Sequence, residues 1–219
     1  MHFENILPNL YVLYGSISSN TYLLLGKEPL LIDPGLHDKD YLLGSLEKLG
    51  VKQGDIKTLL VTHAHVDHFV NCMLFPKAKV YCSEKAIKLF KTKDDVSTVS
   101  NWIHNTYYPN NLHLLKAGQI VGNDNFKLEV LELPGHTEND IAFYDKENKI
   151  LFSGDVIFQG AFGRVDLFDS SKEAMEKSLK KLEKFNYELL LSGHGKVYKS
   201  TKEEQRENVQ QQIRYLDKM

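Results

Sequence analysis

Two β-sheets packed face to face, with helices on their outer sides, are the fold this sequence predicts, built as one domain. Three observations carry it. The two halves of the chain look alike in outline, each with hairpin strands followed by helix, strand and loop. Ile56–Val61 is an apolar, β-branched run and Leu189–Leu191 is wholly apolar, the pattern of strands buried in a sheet. No linker, low-complexity run or short-period repeat divides the 219 residues.

The elements follow in order. Residues 3–14 alternate apolar and polar and predict a strand at Leu10–Tyr14. Ser18-Ser19-Asn20 is a turn. Thr21–Leu25 and Leu30–Ile32 are strands joined by Gly26-Lys27-Glu28-Pro29, a hairpin signal, and the second runs into Asp33-Pro34-Gly35. Tyr41, Leu42, Leu46 and Leu49 mark an amphipathic helix over 39–49 that stops at Gly50. The strand at 56–61 leads into Thr62–His68 and a short helix to Phe75-Pro76. A strand at 79–82 and a helix from Ser83-Glu84 to about Phe90 come next. Residues 92–111 are an aromatic-rich insert carrying Trp102, His104, Tyr107 and Tyr108. Thr92-Lys93-Asp94-Asp95 reads as a helix start, and the insert either covers a pocket or packs as a surface helix pair. Strands resume at 112–115, 119–121, 126–133, 141–144 and 149–152, with turns at Gly122–Asn125 and Asp145–Asn148. Ala174, Met175, Ser178, Leu179, Leu182 and Phe185 put one apolar face on a helix over 171–185. A polar helix over 201–217 closes the chain, with Val209, Ile213 and Leu216 as its thin apolar side.

Composition excludes several classes. Hydrophobic residues at 42% and charged residues at 26% are ordinary for a globular chain. A formal net charge of −2 gives no sign of a nucleic-acid or membrane surface. No apolar run approaches the length of a membrane span. Met1–Asn5 has neither the basic nor the apolar part of a signal peptide, so a cytoplasmic protein is expected. Cys72 and Cys82 make no disulfide framework and read as small buried hydrophobes.

The chemistry gathers at Thr62-His63-Ala64-His65-Val66-Asp67-His68, which holds three of the nine histidines. Imidazole nitrogens and a carboxylate are what borderline metals such as zinc prefer. In an extended segment His63 and His65 point the same way. Asp67 and His68 fall where the chain turns toward a helix and can face a second point. Four distant residues repeat the placement of this cluster: Asp33, His136, Asp155 and His194 each follow an apolar run. Glycine directly precedes the last three and permits a sharp turn that aims a side chain back over a sheet edge. Side by side, these strands would collect all the residues at one rim. His2, His37 and His113 have no such partners and read as surface residues.

The motifs Thr-His-Ala-His-Val-Asp-His at 62–68, Pro-Gly-His-Thr at 134–137, Ser-Gly-Asp at 153–155 and Ser-Gly-His-Gly at 192–195 resemble the metallo-β-lactamase superfamily, and Asp33-Pro34-Gly35 matches its first motif. The resemblance spans essentially the whole chain. It implies an α/β fold, an αββα sandwich of two mixed sheets over residues 1–219, with a dinuclear metal site between the sheet edges. His63, His65 and His136 would hold one metal, Asp67, His68 and His194 the other, and Asp155 would bridge them. Asp33 would support the ligand loop or serve simply as a turn residue before proline. The segment Gly160–Leu167 resembles the Gly-Arg-x-Asp stretch of glyoxalase II-like thioesterases and of related persulfide dioxygenases. Arg164 would orient a substrate carboxylate or pair with Asp166. Two departures, Phe69-Val70-Asn71 where glycines are common and Glu138-Asn139 in place of x-Gly, are expected at pocket walls.

These implications set the expectations. Two divalent ions, zinc first with iron or manganese as alternatives, would share a hydroxide that attacks a small thioester or ester. Asp67 would tune its metal and accept a proton, while His104, Tyr107 or Tyr108 would touch substrate. The rivals are a persulfide dioxygenase with one iron on the His63, His65, His136 and Asp155 side, a lactonase or other hydrolase of the same fold, and an inactive binding module. A small-molecule substrate is expected, with no nucleic acid and no membrane.

Overall fold

The computed structural model describes residues 3–101, 103 and 106–219; Trp102, His104 and His2 lie outside the described residues. The chain opens with β1 (Glu4–Leu7), β2 (Leu10–Leu13), β3 (Thr21–Leu24) and β4 (Leu30–Ile32). The segment 3–14 is thus a hairpin rather than one strand, because Asn9 turns the chain at φ 67°. Asparagine tolerates this left-handed conformation better than most residues. Then come α1 (Lys39–Glu47), β5 (Thr58–Leu60), α2 (Val66–Phe69), β6 (Lys79–Cys82), α3 (Glu84–Thr92) and β7 (Leu112–Leu114). The second half holds β8 (Ile120–Gly122), β9 (Lys127–Glu132), β10 (Ile141–Asp145), β11 (Ile150–Gly154), β12 (Ile157–Phe158), β13 (Ala161–Phe162), α4 (Lys172–Leu182), β14 (Leu189–Ser192), β15 (Tyr198–Lys199) and α5 (Lys202–Leu216).

β1 to β7 form one sheet in chain order, and the other runs β15-β14-β11-β10-β9-β8. Both are mixed: β4 to β7 pair in parallel, as do β11 and β14, while the remaining neighbours are antiparallel. Alternate residues of each strand face alternate layers. Leu10, Val12, Tyr22, Leu24, Ile32 and Leu60 of the first sheet meet Leu128, Val130, Phe143, Phe152 and Leu191 of the second. Leu23, Leu31, Leu59 and Val80 face the other way, against Leu42, Leu46, Phe69 and Phe90 of the helices. Leu131, Leu151 and Leu190 do the same against Met175, Leu179, Val209 and Leu216. The result is helix, sheet, sheet, helix.

Two readings of the sequence are corrected. Thr92–Asp95 does not start a helix; Lys93, at φ 52°, ends α3, and Asp94 Oδ1 accepts the Ser97 amide in a turn. Among its described residues the insert forms turns, and it packs on α2: Tyr108 stacks on Phe69 with centroids 5.7 Å apart. His37 is buried rather than on the surface, with Nε2 3.0 Å from Thr21 Oγ1. Cys72 and Cys82 are free and buried, as expected.

The strand directions set up a common rim. β9, β11 and β14 run the same way, since each of β9 and β11 is antiparallel to β10. Asp33, His63, His136, Asp155 and His194 all lie just beyond strand ends. The two sheets touch there directly, where Ile141 N donates to Thr62 O at 2.9 Å. Among the described residues no helix is long and apolar enough to cross a membrane.

Candidate metal centre

β5 ends at Leu60, and the extended chain beyond it brings His63 and His65 to one side. His65 then precedes α2, whose first turn carries Asp67 and His68. Three overlapping groups of side chains result, each with ligand atoms within 4.8 Å of one another: His63, His65 and His136; His63, His68 and Asp155; and Asp67, His68 and His194. In the first, His65 Nδ1 lies 3.1 Å from His63 Nε2 and 3.0 Å from His136 Nε2. A tetrahedral zinc with bonds of about 2.0–2.1 Å separates its ligands by roughly 3.3 Å, close to what is found. In the last, His194 Nε2 lies 3.2 Å from Asp67 Oδ2. Asp155 stands between the groups: Oδ1 is 3.5 Å from His68 Nε2, and Oδ2 is 3.6 Å from His136 and 3.5 Å from His194. All seven sequence-predicted ligand residues therefore meet. The His63–His65–His136 half is buried, while Asp67 and His194 keep 21% and 38% of their side chains exposed, so the second half opens to solvent.

The surrounding bonds decide which ring nitrogens face inward. Asp33 is buried; its Oδ1 accepts Thr62 N at 2.8 Å, and its Oδ2 accepts Thr62 Oγ1 at 2.7 Å and His68 Nδ1 at 2.9 Å. A carboxylate only accepts, so the Nδ1 of His68 carries a proton and Nε2 is the nitrogen left to face a cation. His136 Nδ1 donates to the Arg164 carbonyl at 2.9 Å, with the same effect. Close glycines make room. A Cβ on Gly193 would lie 2.1 Å from Asp155 Oδ1 and 2.7 Å from His68 Cε1.

The charges are unbalanced without a cation. Burial, then the neighbouring imidazoles, hold His63 well below the usual histidine range, and burial with His136 and His68 pushes His65 down to about 3. Burial would depress His68 as well, but Asp67, Asp155 and Asp33 outweigh it and raise it well above that range. Burial pulls Asp67 and Asp155 upward, yet the histidines, His68 foremost, hold both below the carboxylate range. That pull on a positive charge at His68 acts on any cation placed there. His68 Nε2 and Asp155 Oδ1 are buried with no hydrogen-bond partner among the described residues. Such orphaned atoms are costly unless something fills the gap, and an N/O donor set of this kind fits divalent zinc, iron or manganese.

Arg164 pairs with Asp166 at 2.9 and 3.0 Å on the surface, leaving its carbonyl for His136. Tyr108 directs its hydroxyl to Asp95, Ser100 and Thr98, and Tyr107 is half-buried in the insert. At the two departures Phe69 and Asn139 face the scaffold rather than a pocket, while Glu138 is exposed and pairs with Lys85 at 3.1 Å. Phe69 is buried against Phe90, and Asn139 Oδ1 accepts the Ala64 amide at 2.7 Å, between the first two histidines. Sequence reasoning missed Thr62, Asn139 and Asn20. Thr62 had one available signal, its position directly before the first ligand.

A sandwich whose two sheets each send histidines and carboxylates to a shared two-part cluster is the layout of a metal-dependent hydrolase. The chain belongs to the metallo-beta-lactamase superfamily, which residues 14–194 match. It is 31% identical over 188 residues to hydroxyacylglutathione hydrolase GloC of Haemophilus influenzae, covering 83% of this chain and 86% of that protein. The fold superposes on a metallo-beta-lactamase family protein of Thermus thermophilus, TTHA1429, with a TM-score of 0.82 at 24% identity, over 97% of this chain and 80% of that one. It also resembles TTHA1623 in a di-iron-bound form, with a TM-score of 0.74 at 30% identity, over 89% of this chain and 95% of that one.

Proposed function

We propose that this protein hydrolyses a small thioester or ester at a dinuclear metal centre, and that residues 1–219 form one domain. His63, His65 and His136 hold one cation, Asp67, His68 and His194 the other, and Asp155 lies between them. The observation that carries this reading is Asp155, whose two oxygens reach histidines of both halves. Two bound divalent cations supply an ionised water near neutral pH and a Lewis acid for the acyl carbonyl. The chain does the rest. Asp33 and the Arg164 carbonyl fix the rings of His68 and His136. Asp67, ionised and partly exposed, accepts the proton still on the attacking oxygen once that oxygen has bonded to the acyl carbon and passes it to the departing thiolate, so that a carboxylate and a thiol leave. Gly163 packs directly on His136 and the Asp155 carbonyl, where a Cβ would not fit, and so keeps both in place.

The name of the Haemophilus influenzae relative supports a hydroxyacyl-thioester as substrate class. The di-iron form of TTHA1623 supports iron beside zinc. The complete Asp67–His68–His194 group favours hydrolysis over the mononuclear iron dioxygenase. The test is a panel of acyl-thioesters, esters and lactones with metal-loaded protein, before and after chelation, with oxygen uptake on glutathione persulfide in parallel. Thioester turnover lost on chelation and restored by zinc is expected. Oxygen uptake with no hydrolysis of thioesters or esters by the metal-loaded protein would overturn the reading.

A further inference from the structure

The turn Ser18-Ser19-Asn20 reads in the sequence as a plain loop, yet the fold buries it, with Asn20 1% exposed. Gly15 lets it close tightly: a Cβ there would lie 2.0 Å from Ser18 O. Three of the four carbonyls of the Ser192–Gly195 turn, which carries His194, are held by Asn20. Its Nδ2 donates to Ser192 O at 3.0 Å and Gly195 O at 2.9 Å, and its backbone N donates to Gly193 O at 2.6 Å. Its Oδ1 accepts Gly15 N at 3.3 Å, so the amide can face only one way. Ser19 N donates to Asp67 O at 3.1 Å. Two consecutive residues thus grip the backbone of Asp67 on one side of the rim and of the His194 turn on the other.

We infer that Asn20 is a positioning residue for the Asp67–His68–His194 half of the centre, setting the approach of His194 to Asp67. The inference rests on the dinuclear reading. The other half does not depend on it, because the backbone between His63 and His65 is held by Asn139 instead. Asn20→Asp is nearly isosteric but turns a carboxylate oxygen toward the Ser192 and Gly195 carbonyls. That swaps two donated bonds for repulsion. Tyr22→Phe removes one neighbouring bond, Tyr22 Oη to Ser192 O at 2.6 Å, and leaves Asn20 in place.

The test is metal stoichiometry by elemental analysis and stepwise affinity by chelator competition, with melting temperature measured alongside. Wild type should hold two metals. Asn20→Asp should keep the first affinity and weaken the second at least about tenfold, and Tyr22→Phe should change the second by less. If Asn20→Asp does not fold, Asn20→Ala, which leaves the carbonyls to water, should show the same selective loss. A variant that weakens both metals equally has only a structural defect and overturns the inference, as does one that binds both like wild type. A wild-type chain holding fewer than two metals would instead overturn the dinuclear reading, and the inference with it.

Discussion

Asp33→Asn is the sharpest test of how the centre is held. Asp33 sits at φ 49°, a left-handed conformation that asparagine also tolerates, so the change isolates the side chain. Three donors converge on the carboxylate, from Thr62 N, Thr62 Oγ1 and His68 Nδ1. A carboxamide with its oxygen at the Oδ2 position can serve the latter two. Its NH₂ then faces the Thr62 amide, and two buried donors oppose each other. Each bond to a buried charge contributes about 1.5–3 kcal/mol. Removing one partner of a buried pair costs about 3–5 kcal/mol. For a chain of this size roughly 2–4 °C goes with each kcal/mol, so the melting temperature should fall by roughly 6–20 °C. The variant should also bind metal more weakly, because His68 loses the partner that fixes its Nδ1 proton. Thermal melts followed by circular dichroism, with and without metal, read both effects. An Asp33→Asn protein that melts within a degree or two of wild type and keeps its metal affinity would refute the account of Asp33 as the brace of His68.

Two further outcomes follow from the same structure. Gly193→Ala would bring a Cβ 2.1 Å from Asp155 Oδ1, so Asp155 or the His194 turn must shift. A misplacement of about 1 Å costs on the order of a hundredfold in rate, so thioester turnover should drop by about that much, and unchanged turnover would argue against the packing described. His37, buried, titrates at about 4 rather than near 6.5. The unfolded chain therefore takes up a proton between pH 6.5 and 4 that the folded chain refuses, and stability falls as pH drops through that window. The share due to His37 is at most about 3 kcal/mol. His37→Gln should lose less stability than wild type between pH 7 and 4.5 in urea titrations; equal losses would show that His37 is not the group responsible.

What the sequence revealed depended on distance along the chain. His63, His65, Asp67 and His68 were legible because their spacing alone sorts them between an extended segment and a helix. His136, Asp155 and His194 were legible because each follows an apolar run through a glycine. Asn20 was not, since its partners at Ser192 and Gly195 lie 172 and 175 residues away and carbonyls leave no mark in sequence. Thr62 opened the histidine motif with no role of its own, although its hydroxyl links Asp33 to His63. His37 looked peripheral because nothing local announces that Thr21 and Asn71 enclose it. β12, β13 and β15 have two residues each, too few for any period to show.

The bonds that aim the ligands are also bonds between the sheets. Ile141 N to Thr62 O, Ala64 N to Asn139 Oδ1 and Asn20 to the Ser192–Gly195 turn each cross from one sheet to the other at the rim. At the opposite end the two hairpin turns are bonded as well, Lys27 N to Asp124 Oδ1 and Asn125 Nδ2 to Leu25 O, and between the two ends the sheets meet through apolar side chains, which resist separation but have no preferred direction. Polar bonds therefore fix the register between the sheets at both ends, and at the end that carries the ligands the same bonds aim them. A cation held, as proposed, by Asp67 from one sheet and His194 from the other would extend the same restraint. It also adds stability by mass action, about 2.7 kcal/mol at a hundredfold excess over its Kd if the unfolded chain does not bind it. On the dinuclear reading, folding and metal loading would be coupled through one set of atoms, and a change as small as an amide to a carboxylate at Asn20 should register first in the second metal.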